Sequence, residues 1–397
     1  MNNNQTDYSL YTLQVRLYPT KEQEIFLNKA FGCVRFVYNY FLNKSQEEYK
    51  NEKRYFNWFD AQKELTKLKK LEEYKWLNEV GNSCLNISLI HLDVAYKNFY
   101  KAIKEKKNYK LRYKSKHVHR DSFTTQAADT TTKGVKDKTV KINFTEHKIK
   151  IPKLKSWIKF RDSRIIDYKT IQNITIKRTP SGNYYASILF RVPKKTIDYQ
   201  LDINKSIGLD FGLKSFITAS TGEKIYSPEP LKKNLKKLAR LARKHSKKKT
   251  NSKNREKARI RLAKQHEKIS NIRKYWNHCL SKRLSDEYDF IFIEDLNIQG
   301  MQKLWGRKVS DIAWYQFVTF LNYKMLQKGK YCLKVDRYYP SSKTCNCCGY
   351  KKEDLSLYDR SWKCPVCNSL LDRDINAAKN ILQEGLKLFS TDVQSGF

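Results

Sequence analysis

The sequence predicts a multidomain α/β protein: a β-barrel-like N-terminal part with a helical block inserted into it, then an α/β part with a four-cysteine metal site inserted into it. Three observations predict this. Strand-like segments stand at the start of the chain (YTLQVRLYP, 11–19) and again from residue 138, with helical stretches between them. The run FIFI (290–293) leads straight into two acids, as in a strand buried on both faces of a sheet. Two Cys-x-x-Cys pairs, Cys345/Cys348 and Cys364/Cys367, enclose fifteen residues, 349–363.

In chain order, YTLQVRLYP alternates and stops at a proline. Thr20-Lys21-Glu22-Gln23 has the pattern of a capping box and opens a helix with Phe26, Ala30, Val34, Val37 and Phe41 on one face. Further helices are expected from about Asp60 to Leu71 and from Ser83 to Ile103. KTVKINFTEHKIKIP (138–152) reads as strands, and NITIKRT with YYASILFRV, around the turn Pro180-Ser181-Gly182-Asn183, as a hairpin. In the second half a strand is centred on Ile207–Phe211, followed by a hairpin turning at Thr221-Gly222. Two long basic helices come next, broken by HSKKKTNSKN; on the second, Leu262, His266, Ile269, Trp276, Leu280 and Leu284 share a face. FIFIEDL and YCLKV are strands, and a last helix spans about Arg373–Leu388, with a loose tail after Ser390. No internal repeat is present.

Charge narrows the function. Lys and Arg number 80 against 40 Asp and Glu, a net charge of +40 over 397 residues. An AT-biased genome accounts for abundant Lys, Asn and Tyr, but not for a two-to-one excess over acids. Such a charge repels itself unless a polyanion offsets it, which points to nucleic acid. A membrane surface is the alternative, and no long apolar span or lipidation motif supports it. The start, MNNNQTDYSLY, is not that of a signal peptide. Nine cysteines, several of them scattered singly, fit a reducing cytosol rather than a disulfide framework.

The two cysteine pairs can surround one ion with four thiolates, a closed structural zinc site with no open position for chemistry. The competing reading is two disulfides, and Cys347 falls outside the pairing. Three acids stand out by context: Asp210 ends an apolar strand, Glu294 ends FIFI, and Asp374 lies in the first turn of the last helix, before the small Asn376, Ala377 and Ala378. Singly, each is an ordinary strand-end or helix-start acid. Jointly, carboxylates at two buried strand ends and one packed helix can converge, and they then repel one another unless cations sit between them. Two Mg²⁺ ions about 4 Å apart would satisfy them and supply the chemistry for phosphodiester cleavage. Asp372 is expected to cap the helix and Asp295 to point away. The basic helices between Leu231 and Leu284 read as a phosphate track in preference to plain solvated faces. The histidines are isolated, and there is no P-loop, dinucleotide fingerprint or Ser-His-Asp set.

GLDFGLKSF, FIFIEDLNI, YYPSSKTCNCCG, the second knuckle and DRDINAAKNIL, in that order, resemble the RuvC-like nuclease of the TnpB family. VRLYPTKEQEIFLNKAFGCVRFVYNY and LDVAYKNFYKAI resemble its N-terminal opening and helical domain, and KNREKARIRLAKQHEKISNIRKYWNHCLSKRL its segment between the acids. The resemblance implies an RNase H-like (RuvC) domain over 205–340 and 372–388 and a zinc ribbon over 341–371. It further implies a wedge domain over 1–19 and 104–204, with a helical recognition domain over 20–103 and a flexible tail at 389–397. It implies an RNA-guided DNA endonuclease of the prokaryotic cytoplasm and nucleoid, partnered by guide RNA and target DNA, cutting beside a short flanking motif. Asp210, Glu294 and Asp374 would be the catalytic Mg²⁺ ligands, and Cys345, Cys348, Cys364 and Cys367 the Zn²⁺ ligands. A miniature type V CRISPR effector, with a CRISPR RNA as guide, or a strand-transferring transposase are the alternatives. The large N-terminal half, with no evident helix-turn-helix, speaks against the transposase, and monomer or dimer stays open.

Overall fold

In the computed structural model the opening segment forms the expected strand, β1 (Tyr8–Tyr18). The residues described are 8–53, 55–116, 121–129, 139–162, 170–193, 205–297, 311–356 and 358–394, with positions 164, 168, 300, 301, 303, 306 and 309. The first seven residues, residue 138 and the last three, where parts of the readings above fall, lie outside them. Two units, Met1–Lys194 and Lys195–Phe397, each have a core of their own.

In the first unit β1 pairs with β7 (Tyr184–Pro193) along nearly its whole length and with β5 (Ile158–Arg161). With β2 (Asp121–Asp129), β3 (Val140–Asn143), β4 (Lys148–Lys150) and β6 (Thr170–Arg178), these form a closed barrel in the order β1-β5-β4-β3-β2-β6-β7. Period-2 patterning fills it: Leu13, Val15 and Leu17 from β1 and Tyr184, Ala186, Ile188 and Phe190 from β7 are buried. Sequence patterning did not single out β2 or β5. β2 has a threonine among its buried positions, with Phe123 and Ala127, and β5 is only four residues long.

Between β1 and β2 lie α1 (Lys21–Glu52), α2 (Trp58–Leu68), a 3₁₀ segment (Glu72–Glu79) and α3 (Asn82–Lys104). The capping box forms as expected. Thr20 Oγ1 accepts from Gln23 N at 3.4 Å, and Gln23 Oε1 accepts from Thr20 N at 3.0 Å. Ala30, Val34, Val37 and Phe41 are buried, and these helices share one hydrophobic core with the barrel. A buried carboxylate fastens the two together: Asp121 pairs with Arg35 of α1 at 2.9 Å and Arg178 of β6 at 2.6 Å.

In the second unit the sheet order is β10 (Lys224–Ile225), β9 (Ile217–Ala219), β8 (Ser206–Asp210), β11 (Phe290–Glu294), β12 (Tyr331–Val335). β8, β11 and β12 are parallel, and β9 and β10 form the antiparallel edge. The helices are α4 (Pro230–Ser246), α5 (Lys253–Glu287), α6 (Trp314–Gln327) and α7 (Arg373–Gln394). β11 explains the unbroken FIFI. Phe290 and Phe292 join Ile381 of α7 in one cluster, while Ile291 and Ile293 join Leu280, Leu284, Phe317 and Leu321 of α5 and α6 in another. β13 (Ser361–Lys363) and β14 (Leu370–Asp372) form a separate hairpin.

Three expectations need correction. His266 is exposed, and its neighbour Gln265 is buried instead, donating to Asn234 Oδ1 at 2.9 Å. The helix α6 was not anticipated. And α7 runs on to Gln394 instead of ending near Leu388, because Phe389 packs 4.9 Å from Phe290 and 5.3 Å from Tyr331. Among the described residues no helix is long and apolar enough to cross a membrane.

The Asp121 clamp has a measurable consequence. Asp121→Ala leaves two half-buried guanidiniums facing each other and is expected to lower the stability of the first unit by about 3 kcal/mol, read from urea unfolding. A loss under ~0.5 kcal/mol would place the clamp among ordinary surface pairs.

Candidate active site and four-cysteine metal centre

β8 and β11 are hydrogen-bonded parallel neighbours with Leu209 opposite Ile293. The next residue on each is an acid, so Asp210 and Glu294 emerge side by side from adjacent strand ends, on strands about 4.8 Å apart. α7 brings the third. It lies so close on β8 that a Cβ at Gly208 would meet the backbone of Ala378 and come 2.6 Å from Leu382 N, and one at Gly385 would strike the Phe292 ring. That contact carries the first turn of α7, with Asp374, to the same end of the sheet.

The neighbouring acids are committed elsewhere. Asp372 Oδ1 accepts from the backbone N–H groups of Asp374 and Ile375, both at 3.1 Å, and its Oδ2 pairs with Lys224 at 2.7 Å. It is a helix cap. Asp295 pairs with Lys334 at 2.9 Å and Arg337 at 2.7 Å. Burial first, then the charges of Glu294 and Asp374, push the Asp210 carboxyl up to about 8, with Arg373 opposing. Burial also raises Glu294, with Arg337 opposing and Asp295 adding to it. Arg360 approaches Asp374 only to 3.9 Å. An under-compensated set of hard oxygen donors suits Mg²⁺ rather than a thiophilic metal. Their spacing is wider than a single-ion shell: among the described residues, the cysteine set is the one group of three or more candidate ligands with all ligand atoms within 4.8 Å of one another. The surrounding Lys224, Arg337 and Arg360 carry no sequence signal, since their partners lie on other segments.

Cys345, Cys348, Cys364 and Cys367 form that group. The Sγ atoms of Cys345 and Cys367 are 3.6 Å apart, and those of Cys348 and Cys364 are 3.5 Å apart. This is far beyond a disulfide and close to the roughly 3.8 Å edge of a tetrahedron with 2.3 Å Zn–S bonds. All nine cysteines are free thiols, and Cys347 stands exposed outside the cluster. The four thiols fit a structural zinc. Trp362 and Leu371 pack with them in a small core of their own.

At the tip of the α4–α5 pair, Lys244, Lys247, Lys248, Lys257 and Arg261 line a cleft of ≈ 600 Å³. Arg255 holds the turn beneath it by donating to Lys248 O at 2.7 Å.

Burial and crowding of the Asp210 carboxyl have a pH signature. The Asp210 carboxyl remains protonated in the fold up to about pH 8 but ionises near pH 4 when unfolded. Stability in magnesium-free buffer should therefore fall as the pH rises between these values. Asp210→Asn cannot ionise. It is expected to raise the melting temperature clearly at pH 9 and much less at pH 5, and an equal gain at both would contradict the raised Asp210 carboxyl.

Known proteins share this arrangement of sequence and fold. A family model described as "Probable transposase" matches residues 187–304, and one described as "Cas12f1-like, TNB domain" matches 314–381. A third, "Helix-turn-helix domain", matches 10–54, where the structure has β1 followed by the single uninterrupted helix α1. A Streptomyces pristinaespiralis protein named "Putative RNA-guided DNA endonuclease" is 34% identical over 94% of this chain and 88% of its own length. The Escherichia coli "Putative RNA-guided DNA endonuclease InsQ" is 28% identical over 98% of this chain and 96% of its own. "TnpB-like protein L79" of Acanthamoeba polyphaga mimivirus is 31% identical over half of this chain and 41% of its own length. The solved structure "Cryo-EM structure of the Cas12f1-sgRNA-target DNA complex" contains a chain of like fold, with a TM-score of 0.58 and 15% identity, covering 95% of this chain and 99% of that one. By its full-length likeness to the Streptomyces relative, together with the matched models, this chain belongs to the TnpB family.

Proposed function

We propose that the chain is an RNA-guided, Mg²⁺-dependent DNA endonuclease, with an RNase H-like (RuvC) domain that cuts target DNA beside a short flanking motif. The observation that carries this reading is the meeting of Asp210, Glu294 and Asp374 at one end of the β8–β11 pair, where each charge works against the ionisation of Asp210. The names of the full-length relatives support the substrate and the guide. In domain terms, 205–340 with 372–388 would be the nuclease, 341–371 the zinc ribbon, 1–19 with 104–204 the wedge, and 20–103 the recognition helices.

Asp210, Glu294 and Asp374 would hold two Mg²⁺ ions, which supply an activated water and charge neutralisation at the scissile phosphate. The protein's part is placement. Asp210 and Glu294 stand on hydrogen-bonded strands and hold a fixed separation, while Asp374 is set by a helix seated on glycine. Bound cations would favour the ionised Asp210 carboxylate against the burial and repulsion that hold it neutral. Lys334 and Arg337 keep Asp295 turned away, and Lys224 keeps Asp372 at the cap, so neither competes for the ions. The lysines and Arg261 of the α4–α5 cleft would track a phosphodiester backbone, while base pairing with the guide chooses the sequence.

Asp210→Ala, Glu294→Ala and Asp374→Ala are each expected to reduce cleavage of a guide-matched duplex to background while RNA binding stays intact; full activity in any one removes the proposed metal site. Neutralising Lys247, Lys248 and Arg261 to Ala should flatten the dependence of nucleic-acid affinity on salt, by about 0.7–0.9 in the log–log slope per lost phosphate contact.

The description "Probable transposase" favours a second reading, strand transfer, in which labelled transposon ends would be joined to target DNA rather than broken. Sequencing the RNA that copurifies from cells carrying the native flanking DNA separates the remaining cases. A transposon-end transcript fits the guide reading, and a repeat-spacer transcript fits a small type V effector. No specific RNA counts against both.

A further inference from the structure

We infer that Asn376 and Asn380 are positioning residues that couple the four-cysteine ribbon to Asp374, so that metal loading of the ribbon sets the geometry of the acid cluster. The inference rests on the nuclease reading for its consequence, but the coupling itself is a property of the fold. Both asparagines are buried, at 2% and 1% exposure, in the second and third turns of α7. Asparagine is a poor helix former, and a buried amide without partners is costly.

Neither side chain serves its own helix. Asn376 Nδ2 donates to Thr344 O at 2.7 Å, and Asn376 Oδ1 accepts from Asn346 N at 2.9 Å. Asn380 Nδ2 donates to Ser341 O at 2.7 Å and Thr344 O at 2.6 Å. Gln383, at the next position on the same face, reaches Asn346 O at 3.4 Å. The segment they hold, 341–346, contains Cys345. Apolar side chains would have sufficed for packing alone. What these amides do is replace the hydrogen bonds that the knuckle's backbone cannot make with itself.

The second knuckle grips the same turn from the other side. β14 runs directly into Asp372, the cap of α7. Arg373 N donates to Arg360 O at 2.9 Å, and Arg373 Nη1 donates to Ser356 O at 3.1 Å. A tetrahedral ion joining Cys345 and Cys348 to Cys364 and Cys367 therefore closes a ring. The ring runs from one knuckle through the amides, along α7 past Asp374, to the cap and the other knuckle. Opening the ring at the thiolates or at the amides releases the same first turn.

The test uses the full chain with its copurified RNA. Asn376→Ala/Asn380→Ala is compared with wild type for zinc content, amide hydrogen exchange over 372–380, and the Mg²⁺ concentration giving half-maximal cleavage. The variant is expected to keep one zinc and its RNA, to exchange faster over 372–380, and to need at least about tenfold more Mg²⁺. Removing zinc from wild type should speed exchange in the same peptide, and removing it from the variant should add nothing there. Should the double variant not fold, single Asn376→Ala, in which Asn380 still binds both carbonyls, should show a smaller shift of the same kind. Unchanged exchange and an unchanged Mg²⁺ requirement, or a zinc effect that adds in full to the variant's, overturns the coupling. A wild-type chain that cuts no guided DNA would instead defeat the nuclease reading, while the exchange measurements would still decide the coupling.

Discussion

The second unit depends on a helix lying directly on the backbone of a β-strand. A methyl group at Gly208 in the middle of β8 would force the two apart, and one at Gly385 in α7 would strike the Phe292 ring on the neighbouring β11. At an ordinary helix–sheet distance, Asp374 would stand off from the strand ends and the three acids would be unrelated surface charges. Because the contact is backbone against backbone, it has little slack, and the position of the first turn of α7 is set by sterics.

That contact creates a conflict which the surrounding residues manage without removing. In a chain of net charge +40, cations are plentiful, yet several near the site are engaged with the adjacent acids: Lys224 with Asp372, and Lys334 and Arg337 with Asp295. The consequence is a carboxylate, Asp210, held in its neutral form at neutral pH by burial first and by its acidic neighbours second. Strain of this kind lowers the stability of the empty fold and is typical of sites built for an ionic partner. The ribbon belongs to the same construction. Its hairpin ends in the cap of α7, and its other knuckle is held by amides about one and two turns along, so a small core around the four cysteines is set at the start of the helix that carries Asp374.

The first unit follows a different logic. Its barrel is closed by hydrogen bonds between segments distant in sequence, and the helices inserted after β1 share its core. Its most buried carboxylate pair, Asp121 between two arginines, is fully compensated. A balanced buried charge fixes an element, as Asp121 does here and Asp289 does in the second unit, whereas an unbalanced cluster asks for a ligand.

Much of this was legible in the chain. The capping box at Thr20, the doubly buried FIFI, the hairpin at 180–183, the two Cys-x-x-Cys pairs and the helix cap at Asp372 are local patterns, and local geometry follows from local sequence. The candidate acids were legible too, because a strand end and a helix start can be recognised one at a time. Tertiary structure alone decided what depends on distant partners: the closure of the barrel through the weakly patterned β2 and β5, the exposure of His266 in place of Gln265, and the last turns of α7 secured by Phe389 on Phe290. The same holds for the asparagines. In sequence they are two small polar residues in a helix, and only the arrival of a separately folded knuckle gives their amides something to hold. Hydrogen bonds and burial across long sequence separations leave no periodic trace, which is why the chain names the reactive groups but the fold determines what they face.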